Sequence, residues 1–160
     1  MEKIIHTIDP VYDGNSRILM LGSMPSPKSR EAGFYYGNPH NRFWKVLSAV
    51  FGENIGDSAA DKTSFLLRRR IALWDVLHSC EIEGASDASI RRAEVNDLSP
   101  IFAAADIRAV FCTGSAAYSY FTKNVQCAVP VIKLPSPSPA NAAWSLEKLV
   151  NAYGVIREYI

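Results

Sequence analysis

Apolar and polar positions along the chain fall into two regimes: short unbroken apolar runs, and longer stretches in which apolar residues return every third or fourth position. The runs are Arg17-Ile18-Leu19-Met20-Leu21-Gly22, Ile71-Ala72-Leu73-Trp74-Asp75-Val76-Leu77, Ala109-Val110-Phe111-Cys112-Thr113 and Val129-Pro130-Val131-Ile132-Lys133-Leu134. Continuous runs of this length mark strands buried on both faces. Phe43, Trp44, Val46, Leu47, Val50 and Phe51 instead follow helical spacing, with Asn41 placed to cap and Gly52 to stop. Thr63 to Arg70, Val95 to Ala105, Ala116 to Lys123 and Ala142 to Tyr159 read as further helices. Residues 1 to 16, carrying Pro10, Asp13 and Gly14, read as a lead-in arm and turn. Ser23 to Ser29 and Cys80 to Ser89 read as loops, the second of them exposed.

Strands alternating with helices predict an α/β fold with a central, mainly parallel four-stranded sheet covered on both faces. In such sheets ligands bind beyond the carboxyl ends of the strands, where strand order reverses. The loops after Gly22, Asp75, Thr113 and Leu134 therefore open onto one edge, and the chemistry is expected there.

Three stretches at that edge have unusual compositions. Gly33-Phe34-Tyr35-Tyr36-Gly37-Asn38-Pro39-His40-Asn41-Arg42-Phe43-Trp44 packs five aromatics, two glycines and two asparagines into twelve residues. Aromatic faces can stack on a planar ring, Gly37 permits close backbone approach, and an asparagine amide carries both donors and an acceptor. Gly22-Ser23-Met24-Pro25-Ser26-Pro27 leaves the first strand. Leu134-Pro135-Ser136-Pro137-Ser138-Pro139-Ala140-Asn141 leaves the last, and is too rich in proline for a helix or a central strand.

Composition narrows the picture. With 160 residues, 48% of them hydrophobic, the chain suits one domain over 1–160 with a real core. No run approaches the roughly 18 apolar residues that cross a membrane, and the first residues show no export pattern. A cytoplasmic protein without membrane contact is expected. Cys80, Cys112 and Cys127 have no C-x-x-C spacing, and His6, His40 and His78 share no ligand spacing. No metal is expected, and without a glycine-rich phosphate fingerprint no cofactor either. The net charge of +1 leaves nucleic-acid binding to a local patch. Arg68-Arg69-Arg70 reads as a solvated helix end.

Together the three stretches resemble the uracil-DNA glycosylase superfamily, and within it the hypoxanthine (deoxyinosine) DNA glycosylase branch, close to the mismatch-specific uracil glycosylases. The most specific part is Tyr35 to Trp44 in combination with Leu134 to Asn141. The resemblance implies an α/β/α sandwich and a monomer acting on double-stranded DNA that contains a deaminated base. It also implies hydrolysis of the N-glycosidic bond by water, without strand cleavage, to leave an abasic site.

Breaking that bond passes through an oxocarbenium-like sugar, so the departing base must be stabilised and a water placed. Asn38 is the catalytic candidate. Tyr36 would stack on a flipped base, and Gly22, Ser23, Met24, Gly37 and Thr113 would complete the base pocket. Ser26, Ser29, Ser136 and Ser138 would bond phosphates, while Pro137, Pro139 and Asn141 complete a rigid wedge for the minor groove. Phe34, Tyr35, Phe43 and Trp44 are expected to pack, and Asp75 to cap or pair, with general-base work as its alternative.

Uracil branches place Asp or Asn just after the first strand and His or Asn where Leu134 stands; Ser23-Met24 and Leu134 supply neither. Relatives often show asparagine near Thr113. These departures shift the burden to Asn38 and favour hypoxanthine over uracil. Three other readings stay open: a mismatch-specific uracil/thymine glycosylase, a non-catalytic nucleic-acid-binding module of the same fold, and a small-nucleoside hydrolase, which would not need the proline-rich wedge.

Overall fold

A computed structural model describes residues 2–160. In chain order it contains strands β1 (Glu2–Ile5) and β2 (Ile18–Gly22), then helices α1 (Pro27–Ala32), α2 (Phe43–Phe51) and α3 (Ala59–Arg68). Strands β3 (Ile71–Asp75), β4 (Leu77–Ile82) and β5 (Arg91–Val95) follow, with a 3-10 turn at Asp87–Ser89 before the last. The chain closes with α4 (Ser99–Ala104), β6 (Ala109–Thr113), α5 (Ser115–Asn124), β7 (Val131–Leu134) and α6 (Leu146–Tyr153), which runs into a 3-10 turn at Gly154–Glu158.

The four apolar runs form one parallel sheet in the order β3-β2-β6-β7. The residues of β2 and β6 are buried throughout, as unbroken apolar runs require. One face carries Ile18, Met20, Ile71, Leu73 and Phe111 against Phe43, Leu47, Phe65, Leu66, Leu149 and Tyr153 of α2, α3 and α6. The other carries Leu19, Leu21, Ala72, Val110 and Cys112 against Ile101, Ala117 and Phe121 of α4 and α5. Each fully buried aliphatic or aromatic side chain contributes roughly 1.5–3 kcal/mol. From β2 the chain passes to β3 on one side and later to β6 on the other, so strand order reverses between β2 and β6.

The second face is completed by something the apolar pattern did not announce. β1, β4 and β5 form a separate antiparallel sheet in the order β1-β4-β5, and Ile4, Leu77, Cys80 and Ile82 pack from it onto the parallel one. Three expectations are thereby corrected. Residues 1 to 16 hold a strand, Cys80 to Ser89 begins with the last three residues of β4, and the helix expected from Val95 begins only at Ser99. At Asn96 the chain is held extended instead: its side-chain amide donates to the carbonyls of Asp75 and Leu77, at 2.9 and 3.0 Å. The segment Ser23 to Ser29 is also shorter as a loop than expected. Ser26 caps α1 by accepting from the Ser29 amide, and Pro27 takes the first helical position.

Among the described residues no helix is long and apolar enough to cross a membrane.

Candidate active site

A cleft of about 500 Å³ opens at the carboxyl ends of β2, β3 and β6, where strand order reverses. Its floor begins with Gly22 and Asp75, which are register partners in adjacent strands. A Cβ on Gly22 would lie 2.5 Å from Asp75 Oδ1 and 3.0 Å from the Tyr36 hydroxyl. Glycine at 22 is therefore what lets the carboxylate and the phenol both close in on the strand end. Asp75 is 4% exposed, and its Oδ2 lies 2.8 Å from His6 Nε2. Asp75 thus has a hydrogen-bond partner drawn from just beyond β1.

Tyr36 enters with a positive φ of 52°, a backbone state that costs a non-glycine residue energy and is retained where surrounding contacts over-determine it. Those contacts are clear. One ring face stacks on Phe43 at 3.9 Å and 12°, and the hydroxyl lies 3.1 Å from Thr113 Oγ1. Thr113 has one proton and donates it to the Leu21 carbonyl at 3.3 Å, so Tyr36 is the donor to Thr113. Burial, with Asp75 nearby, raises the Tyr36 ionisation far above that of an ordinary phenol, keeping it a neutral donor. Thr113 lines the cleft, but its proton is spent on backbone and its oxygen on Tyr36. It orients the aromatic ring.

Asn38 lines the same cleft, half-buried in the turn before α2. Its side-chain oxygen accepts from the His40 amide at 2.9 Å and its carbonyl from Asn41. The amide plane is thus fixed, and among the described residues Nδ2 has no protein partner. Ser23, Met24 and Ser26 also line the cleft.

Gly37 and Ser29 are both engaged with the protein's own packing. Gly37 is not among the lining residues: a Cβ there would meet the backbone of α1, 3.3 Å from both the Lys28 carbonyl and Ser29 Cα. Its close approach is to a helix. Ser29 is only 2% exposed, and its hydroxyl accepts from the Gly37 amide at 2.9 Å while bonded to Ser26 Oγ at 3.1 Å. Ser29 lines the cleft, and a side chain buried and engaged in this way ties the Tyr36-Gly37-Asn38 turn to α1.

The opposite wall is the proline-rich loop, with Ser136, Pro137, Ser138, Pro139 and Ala140 on the cleft. Asn141 lines a neighbouring depression, and its amide is bonded to the Ser136 carbonyl. Arg42 carries this loop. Its guanidinium donates to the carbonyls of Pro137, Ser138, Asn141 and Trp144, and its own amide donates to Pro137. Five N–H donors in a rigid fork suit one arginine to several carbonyls. Tyr153 adds a 2.6 Å bond to the Pro135 carbonyl. Sequence reasoning passed over Arg42, although it stands inside the motif.

It also passed over Asp87. The loop expected to be exposed brings Ala85, Ser86 and Asp87 to the cleft. Asp87 is exposed as a residue, and its carboxylate accepts from Ser23 Oγ at 2.7 Å in a part-buried bond. Burial pushes its acidity constant above the ordinary aspartate range; the Ser23 hydroxyl pulls it back and Asp75 adds to the push. Among the described residues no group of three or more His, Cys, Asp or Glu could hold a metal ion.

Comparison with known proteins gives concordant findings. A model of the uracil DNA glycosylase superfamily matches residues 10–155. A hypoxanthine DNA glycosylase of Methanosarcina acetivorans is 37% identical over 137 residues, covering 84% of this chain and 87% of the relative. A hypoxanthine DNA glycosylase of Methanosarcina barkeri is 38% identical over 91 residues, covering 56% and 58%. The solution NMR structure of a candidate uracil DNA glycosylase from M. acetivorans superposes with a TM-score of 0.82 at 34% identity, covering 96% of this chain and 97% of that one.

Proposed function

We propose that this chain, which belongs to the uracil DNA glycosylase superfamily, excises hypoxanthine from double-stranded DNA and leaves an abasic site. It is a DNA glycosylase, and the preference for hypoxanthine is supported by the names of its Methanosarcina relatives. The observation that carries the residue assignments is the cleft itself, which gathers Asn38, Tyr36, Gly22 and the proline-rich loop at the strand-order switch. Its volume suits a purine drawn out of the helix.

In this reading the base stacks on the Tyr36 face opposite Phe43, an interaction worth about 1–3 kcal/mol. The Asn38 amide, held by His40, has donors to offer the departing base or the attacking water. Its fixed plane adds no reorganisation at the moment of bond cleavage. The loop Ser136 to Ala140 fills the space left in the duplex. In this reading the working unit is a monomer.

The test is single-turnover base release from duplexes that differ only in the lesion. Hypoxanthine should leave more than about tenfold faster than uracil, a difference of about 1.4 kcal/mol in the barrier. Asn38→Ala should slow hypoxanthine release by about a hundredfold or more with little change in duplex affinity. Equal or faster uracil release would instead favour a mismatch-specific uracil glycosylase, and an unimpaired Asn38→Ala would remove the catalytic assignment.

A further inference from the structure

A purine leaves its sugar with an electron pair, and without a proton or strong donor to meet that charge the barrier stays high. Four hydroxyls facing the cleft have their protons committed: Tyr36 to Thr113, Thr113 to Leu21, Ser26 to Ser29 and Ser23 to Asp87. Asp87 is different. Its Oδ1 is held by Ser23 at 2.7 Å, which fixes the carboxyl plane, while among the described residues Oδ2 has no protein partner. The 3-10 turn that begins at Asp87 thus presents one anchored oxygen and one unengaged oxygen at the base cleft.

We propose that Asp87 is a catalytic residue, the general acid that protonates the imidazole nitrogen N7 of the departing hypoxanthine; this rests on the hypoxanthine reading. The proton on Oδ2 passes to N7 as the C1′–N9 bond breaks and its electron pair moves into the purine ring, which departs as a neutral base. A water adds its oxygen to C1′ and gives its proton to solvent, from which Asp87 is protonated again. Uracil has no N7, so the same acid offers it nothing, and the preference for a purine follows from the chemistry of the leaving group.

The surroundings fix the direction of the pH dependence. Around Asp87 stand Ser23 at the end of β2, Asp75 of β3, the Cys80 thiol of β4 with Arg30 of α1 beside it, the Tyr36 phenol, and Glu83 on the same cleft. Burial and Asp75 favour the protonated acid, and the Ser23 hydroxyl favours the anion. The working acid form is therefore complete at low pH and is lost as pH rises through the raised value. Removing the Ser23 hydroxyl should move that loss to higher pH.

The experiment measures single-turnover hypoxanthine release from a duplex across the weakly acidic to weakly alkaline range, for wild type, Asp87→Asn and Ser23→Ala. Wild type should slow toward alkaline pH. Asp87→Asn should be slower by about a hundredfold or more, with a flat profile and unchanged affinity for a duplex carrying a non-cleavable deoxyinosine analogue. Ser23→Ala should keep the slope at a higher pH. With 7-deazahypoxanthine, which lacks N7, wild type and Asp87→Asn should be equally slow. Normal wild-type release with an unchanged rate and profile in Asp87→Asn, or an equal Asp87→Asn defect on the 7-deaza base, overturns this inference alone. Absence of hypoxanthine release by wild type overturns the functional reading and this inference with it.

Discussion

The two walls of the cleft are held by opposite means. The proline-rich wall is anchored from outside: Arg42 reaches into it from the start of α2, and Tyr153 bonds its first carbonyl from α6. The facing wall, Glu83 to Ser89, is folded largely onto itself. Ser89 Oγ accepts from the Glu83 amide at 2.8 Å and donates to the Ser86 carbonyl at 2.7 Å, and the Ser23–Asp87 bond ties the loop to the end of β2. On the proposed function, a wall that pushes against a duplex would benefit from external anchorage, whereas one that offers a carboxyl needs only that group fixed and can remain locally adjustable.

Breaking the stronger anchor should have the larger effect. Arg42→Ala should lower stability by about 3 kcal/mol, because it strips charge-assisted bonds from several part-buried carbonyls, as read from urea unfolding. It should also slow release from duplex DNA far more than from single strands, where no base has to be pushed out. Equal slowing on both substrates would mean that Arg42 serves the Asn38 turn beside it and not the wedge. Arg42→Lys should not rescue, since one ammonium cannot span four carbonyls. Tyr153→Phe should cost about 1 kcal/mol, with a smaller but parallel loss on duplex substrate. Ser89→Ala should change global stability by less than about 0.5 kcal/mol while hastening amide hydrogen exchange in residues 83–89. A large global loss there would show that the second wall is as firmly built as the first.

The parallel sheet was legible because its signal is local. β2, β3 and β6 are apolar up to their last residues, and only strands covered on both faces look like that. The antiparallel sheet was not legible. β4 mixes Ser79 and Glu81 among its apolar residues, and β5 reads Arg-Arg-Ala-Glu-Val with both arginines exposed. Helix α1 carries no large apolar residue to mark it. For the cleft, Gly22, Ser23, Met24, Tyr36, Asn38 and Thr113 were legible from motif and strand ends together. Gly37 misled, because glycine answers a close approach without saying whether the neighbour is a ligand or a helix. Asp87 gave no sign, since its place on the cleft goes with a bond to Ser23, 64 positions earlier in the chain.

His6 meets Asp75 across 69 positions, Tyr36 meets Thr113 across 77, and Arg42 meets Trp144 across 102. Each pairing closes a long loop before any contact rewards it. During synthesis, then, a chain that has emerged only through β6 has neither the proline-rich wall nor the carbonyls that Arg42 awaits, and its cleft is open on one side. The Tyr36-Gly37-Asn38 turn is made early and waits until the last quarter of the chain arrives, so a truncated product of this length carries the motif without the completed cleft.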